Sequence, residues 1–196
     1  MVAVPNPIWD LWVSQPSYDD FWRSLTPSLA ELGKLNIPVL TTTGYYDSGQ
    51  SGALSYWIRY VRANPMAQHY LVIGPWDHHT AQIGTVNPMG TPYSRALRTM
   101  PLDDAGQFDI IALRYQWFDW VFGRGPNPAV LQDQVNYEVM GENKWHHSRS
   151  VDAMGSPRRY FLSSGPARDG YVLSDRPERQ AFVPQAVLLK DRSDVE

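Results

Sequence analysis

The chain contains no cysteine. That excludes disulfides, thiolate metal sites and a cysteine nucleophile, and it leaves the cellular compartment unread. No apolar stretch approaches the roughly 18–20 residues that a membrane-spanning helix needs. The opening string MVAVPNPIWDLW lacks a charged segment followed by a long apolar one, so no signal peptide is read from it. A basic excess is missing too. Lys plus Arg number 17 against 20 for Asp plus Glu, and the net charge of −3 speaks against a phosphate-binding surface. Neither nucleic acid nor a membrane is expected as a partner. Charged residues make up 19%, below the usual ~25%. What the 196 residues do have is 43% hydrophobic content with eight Trp and eleven Tyr. A chain of this size buries about two thirds of its unfolded surface, and its aromatics suit a core and an apolar pocket.

The first 25 residues are aromatic and broken by Pro5, Pro7 and Pro16. Trp9, Trp12, Phe21 and Leu25 need a surface to pack on, and this segment offers none, a first expectation that a longer protein surrounds the chain. The run IPVLTTT (37–43) reads as a buried strand, being apolar at its start, β-branched, and bounded by Pro38 and Gly44. Leu54, Trp57, Ile58 and Val61 then share one face at helical spacing. Ser48 or Ser51 is available to cap this helix, and Asn64-Pro65 to stop it. HYLVI (69–73) is a second buried strand closed by Gly74-Pro75. Strand, helix and strand in this order make a βαβ unit, hence a parallel sheet.

Residues 80–104 read as a long loop rich in Gly, Pro and Asn. Phe108, Ile111, Tyr115, Phe118 and Phe122 mark one helix face, expected to be interior and ending at Gly123. GRGPNP (123–128) is the expected domain boundary. Beyond it the period becomes two at Val135, Tyr137 and Val139, and further short runs follow at RYFLS (159–163), GYVLS (170–174), QAFVP (180–184) and AVLLK (186–190). That spacing suits an antiparallel sandwich of about five strands.

Two residues carry the chemistry. Asp47 follows the first strand in TTTGYYD, and His78 follows the second in GPWDHH. Side chains just past the carboxyl ends of neighbouring parallel strands point into one crevice, so the two can meet. A carboxylate then fixes the imidazole tautomer and makes the His a general base. Asp before His is the tail of the Ser, Asp, His order of α/β-hydrolases. The Ser is not evident. Gly49-Gln50-Ser51-Gly52 has the wrong spacing for a G-x-S-x-G elbow and follows the acid, so Ser51 is read as a helix cap or first-turn residue.

At this point IPVLTTTGYYD, LVIGPWDHH, YQWFDWVFG and YEVMGENKW, in order over residues 37–145, together resemble the cocaine-esterase and X-Pro dipeptidyl-peptidase family of α/β-fold serine hydrolases. Relatives of that family include the α-amino acid ester hydrolases and some cephalosporin acylases. The resemblance implies the end of a cap region in residues 1–25 and the last part of an α/β-hydrolase parallel sheet in 26–125. It places an incomplete antiparallel jelly-roll β-sandwich in 126–196. It makes Asp47 the triad acid and His78 the base, with the nucleophile and oxyanion donors upstream of the chain. The 196 residues alone are therefore expected to be inactive. An ester, an amide or a short peptide would be the substrate, no cofactor or metal is implied, and exposed sheet edges leave homo-oligomers open.

Neighbouring residues have competing readings. Tyr46 and Trp76 flank the dyad and are expected to line an acyl pocket. Asp19 lies near the carboxylate pair that receives the substrate ammonium in α-amino acid ester hydrolases, but Tyr18 stands where the other acid would be; a helix N-cap role for Asp19 or Asp20 is the alternative. Asp77 is read as structural, and spacing from Trp76 favours His78 over His79. His146 and His147 are adjacent on a predicted strand, so they face opposite ways and are poor co-ligands. Two other functions are carried beside the hydrolase. One is a non-catalytic β-sandwich module binding carbohydrate or protein; the other is a metal-dependent hydrolase using Asp77, His78 and His79.

Overall fold

The structure is a computed structural model that describes residues 6–87, 89–93, 95–97, 99–178 and 182. It divides into two units, Met1–Met154 and Gly155–Glu196.

Three short helices open the first unit: α1 (Pro7–Val13), α2 (Asp20–Ser24) and α3 (Leu29–Leu32). Each is started by a side chain that accepts from an otherwise unpaired backbone N–H: Asn6 from Trp9, Asp19 from Phe21, and Ser28 from Glu31 in a reciprocal capping box. The apolar side chains of α1 find no cover among the described residues: Ile8 and Trp9 are more than 60% exposed.

The sheet begins with β1 (Val39–Tyr46), crosses through α4 (Gln50–Ala63) and returns as β2 (His69–Asp77), parallel to β1 with Val39 opposite His69. The βαβ unit read from the sequence is present. Both strands run on past their expected ends, because Gly44 and Gly74 admit close contacts where a side chain would not fit. A Cβ on Gly44 would lie 2.0 Å from the Trp76 carbonyl oxygen, and one on Gly74 would lie 2.3 Å from the Trp76 indole. The helix buries Trp57 and Tyr60, while Ile58 is exposed. Its N-cap is Gly49 with no capping side chain, so neither Ser48 nor Ser51 plays that role.

The segment expected to be a loop holds the one-turn helix α5 (Thr80–Ile83), the two-residue strands β3 (Ala96–Leu97) and β4 (Met100–Pro101), and a 3-10 turn at Asp104–Gly106. Helix α6 (Ile110–Val121) follows, with Gly123 at φ 69° just beyond it, the left-handed position that lets glycine close a helix. Its buried residues are Ile110, Leu113 and Trp117, whereas Tyr115, Phe118 and Phe122 are exposed. Of the expected interior face, Tyr115, Phe118 and Phe122 thus point outward, while Phe108, just before the helix, packs on the core and Ile111 is half-buried. Two apolar series run along this helix about one residue apart, and the inner place goes to the one whose Trp117 and Trp120 form an aromatic triad with Tyr70, centroids 5.4–5.6 Å apart.

The sheet then continues where the sequence suggested a new domain. Strand β5 (Val135–Val139) lies parallel to β2, with Val72 opposite Asn136, and β6 (Lys144–Ser148) pairs antiparallel to β5. The strand order is β1-β2-β5-β6. Period two in VNYEV marks two buried faces here, not one buried and one wet. Leu71, Ile73, Val135 and Tyr137 pack with Trp57 of α4, while Val72 and Trp76 pack with Ile110, Leu113 and Trp117 of α6. A helix therefore covers each face, the layering of an open α/β sheet. Buried Asn136 is tolerated because its Oδ1 accepts from Gln132 N–H, Asp133 N–H and His147 Nδ1.

In the second unit, β7 (Phe161–Ala167) and β8 (Gly170–Ser174) form an antiparallel hairpin from the RYFLS and GYVLS runs. Glu178 ties it by accepting from the hydroxyls of Ser163 and Ser164 and from Ser164 N–H. This hairpin is the sheet found among the described residues of the unit. The QAFVP and AVLLK runs lie outside those residues, Phe182 excepted.

Candidate active site

Asp47 and His78 meet. Each sits one residue beyond its strand, and the register shift between Gly44 and Tyr46 brings Tyr46 opposite Asp77 at the carboxyl edge. His78 Nδ1 lies 2.8 Å from Asp47 Oδ1. The carboxylate is 8% exposed and the imidazole 65%, so the acid is sheltered while the base faces solvent.

Asp47 is held from three sides. Its Oδ1 also accepts from Gly49 N–H at 2.7 Å, and its Oδ2 accepts from Thr43 Oγ1 at 3.0 Å. Burial pushes its acidity toward the neutral form, but the hydrogen bonds from Gly49, His78 and Thr43 outweigh it, and the carboxyl stays below its ordinary value. It is therefore ionised at neutral pH and able to receive Nδ1–H. The other imidazole nitrogen, Nε2, lies 2.9 Å from Gln82 Nε2. An amide nitrogen only donates, so Nε2 is the acceptor and Nδ1 carries the proton. That is the tautomer of a general base.

The turn that presents His78 is locked by Asp77. Its Oδ1 accepts from both Thr80 N–H and Thr80 Oγ1 at 2.8 Å, while its own N–H donates to Thr80 Oγ1 at 3.0 Å. These bonds, the backbone one foremost, hold its carboxyl below the ordinary range. Helix α5 is further tied to β1 by Thr42 Oγ1 donating to Ala81 O at 3.3 Å.

Beside the dyad lies a cleft of about 650 Å³ whose lining includes Tyr46, Asp77, Thr80, Leu97, Met100 and Leu102. Tyr46 is half exposed, with its hydroxyl 3.5 Å from the sulfurs of Met100 and Met140. Trp76 is a correction. It is fully buried, packs beside Phe108 and Trp145, and donates from Nε1 to Gly106 O at 3.0 Å. Because β2 continues beyond Pro75, Trp76 points into the α6 layer and contributes to the core, not to a pocket wall. Asp19 caps α2 by accepting from Phe21 N–H at 3.0 Å, and Asp20 pairs with Arg23 at 2.6 Å. Ser51 is exposed in the first turn of α4.

Among the described residues, no group of three or more His, Asp or Glu is placed to hold a metal ion. His146 and His147 diverge, the first to Glu142 Oε2 at 2.9 Å and the second to Asn136 Oδ1 at 2.8 Å. Thr43, Gly49 and Gln82 escaped the sequence reading. Thr43 and Gln82 each stand four residues from a dyad member, but that offset becomes informative only once the tight turn and α5 are known.

The model of the X-Pro dipeptidyl-peptidase family (S15) matches residues 3–80, a span that holds both Asp47 and His78. The likeness to that family stands. An aminopeptidase from a marine sediment Thaumarchaeota archaeon superposes with a TM-score of 0.57 at 20% identity, over 80% of this chain and 24% of that one. A selenomethionine-labelled α-amino acid ester hydrolase does so with a TM-score of 0.57 at 19% identity, over 88% of this chain and 28% of that one. The chain thus spans about a quarter of the length of these structures, and it shares their fold. No curated protein matches the sequence.

Proposed function

We propose that this chain supplies the acid and base of a serine hydrolase of the peptidase and esterase type. The observation that carries this is the Asp47–His78 contact of 2.8 Å, with a sheltered carboxylate and an exposed imidazole. His78 Nε2 takes the proton from a serine hydroxyl as its oxygen attacks an ester or amide carbonyl. It gives that proton to the departing alkoxide or amine, then activates water to cleave the acyl-enzyme. Asp47 orients the ring and stabilises the imidazolium. The serine and its oxyanion donors come from outside residues 1–196, and of the jelly-roll β-domain expected over 126–196 the β7–β8 hairpin is the part that supports such a reading. The family match over residues 3–80 supports the same reading.

Two assays test it. The 196-residue chain is expected to show no turnover of an activated p-nitrophenyl ester above buffer. A longer product of the same reading frame is expected to turn the ester over and to lose at least about 10³-fold in kcat on His78→Ala or Asp47→Asn. Turnover by the short chain that vanishes with Ser51→Ala would overturn the assignment of the nucleophile. Full activity of either dyad variant in the longer protein would overturn the dyad.

A further inference from the structure

We propose that Gln82 is the positioning residue of His78, a side chain that holds the basic nitrogen in its proton-accepting form and yields that place to the nucleophile. The proposal rests on His78 being the base. Nδ1 is committed to Asp47, so Nε2 is the one ring nitrogen left for proton transfer, and Gln82 Nε2 occupies it at 2.9 Å. An in-plane lone pair accepts one strong hydrogen bond, so an incoming hydroxyl needs the seat the amide now fills.

The fold builds this contact. His78 lies in the turn two residues before α5 and Gln82 within the helix, and that turn brings the two side chains within 2.9 Å of each other. Ala81 is buried and bonded to β1 through Thr42. Gly84 ends the turn at φ 86°, where a Cβ would lie 2.6 Å from Phe108 O. The backbone under Gln82 is thus pinned on both sides, while its side chain is exposed and free to swing away.

A carboxamide is also suited to both states of the base. Its N–H donates to neutral Nε2, and after a half-turn of the amide its oxygen accepts from Nε2–H of the imidazolium. A purely donating or purely accepting side chain would trap one state. The charged and titratable groups around the ring are Asp47 from the end of β1 and Asp77 and His79 on its own turn, with the Asp77 carboxylate engaged by Thr80.

The test uses the 196-residue chain and diethyl pyrocarbonate, which the unprotonated Nε2 attacks. Carbethoxylation of His78 is read by peptide mass spectrometry against exposed His79 as an internal reference. Gln82→Ala is expected to raise the His78:His79 rate ratio at pH 7.5 by about threefold to tenfold, the worth of one hydrogen bond. Gln82→Glu, which accepts and cannot donate, is expected to move the midpoint of the His78 pH profile upward, a shift that loss of a merely structural contact would not produce. An unchanged or lowered ratio in Gln82→Ala overturns the proposal, as does an unmoved midpoint in Gln82→Glu. Asp47→Asn separates the two readings: a His78 profile unaffected by it sinks the dyad while leaving the Gln82 result to stand or fall alone.

Discussion

Thr43 and Asp47 are joined across the turn that ends β1, Oγ1 donating to Oδ2 at 3.0 Å from a position with no solvent exposure. The five residues 43–47 thus contain both the acid and the donor that steadies it. The consequence reaches His78, because Oδ2 held by Thr43 leaves Oδ1 aimed at the imidazole.

Thr43→Val keeps the shape and removes this donor. It is expected to cost about 1.5–3 kcal/mol at pH 7, the worth of a hydrogen bond to a charged group. Asp47 has a lowered pKa in the fold, so its contribution is present above the unfolded value and lost as pH falls through the folded one. The penalty of Thr43→Val should therefore shrink toward pH 3. Urea denaturation of both proteins at pH 7 and pH 3 measures it, and an equal penalty at both would mean the bond does not depend on the carboxylate charge.

Gly44→Ala addresses the closeness of β1 to β2. The added Cβ would sit 2.0 Å from Trp76 O and 2.6 Å from its carbonyl carbon, and backbone atoms in a paired strand have no room to retreat. A loss of more than about 3 kcal/mol is expected, the range of overpacked or strained cores. A thermal midpoint within a few degrees of wild type would show that the strands separate without cost. Gly52→Ala, with nothing within 4 Å of its added Cβ, is the matched control.

The βαβ unit and the meeting of Asp47 with His78 were legible because both strands are short runs of apolar and β-branched residues ended by glycine. Two features were not. Helix α6 offers two apolar series one residue apart, and partners distant in sequence, Tyr70, Val72 and Trp76, decide between them. Strand β5 shows period two, which normally signals a wet face; here Asn136 and Glu138 are fully buried, Asn136 bonded to Gln132, Asp133 and His147. Trp76 misled for a related reason: its place near the dyad in sequence says nothing of which layer its side chain enters. Gln82 was hidden inside a stretch whose Gly, Pro and Asn content reads as loop.

His69 is buried between the rings of Trp57 and Tyr60, with Nε2 on Thr41 Oγ1 at 2.8 Å and Nδ1 without a partner among the described residues. Burial pushes its pKa down to about 4. Because the unfolded chain binds this proton more readily, stability is lost as pH falls from about 6.5 toward 4. His69→Gln removes that slope. The stability difference between wild type and variant should change by about 2 kcal/mol in favour of the variant between pH 7 and pH 4, followed by urea midpoints. A constant difference across that window would place the imidazole in contact with water.

Glu138 tilts the opposite way. It has no solvent exposure, neither carboxyl oxygen has a partner among the described residues, and burial, aided by the charge of Asp103 and opposed by His146, raises its pKa to about 7. The fold favours the protonated acid, so its contribution is present below the unfolded value near 4.5 and is lost as pH rises through about 7. Glu138→Gln keeps the shape without the charge. It is expected to match wild type near pH 4 and to exceed it by about 1–3 kcal/mol at pH 8.5, read from urea denaturation at the two pH values. A variant less stable than wild type at pH 8.5 would mean that the ionised carboxylate has found a counter-charge, and the buried acid on β5 would then be an ion pair.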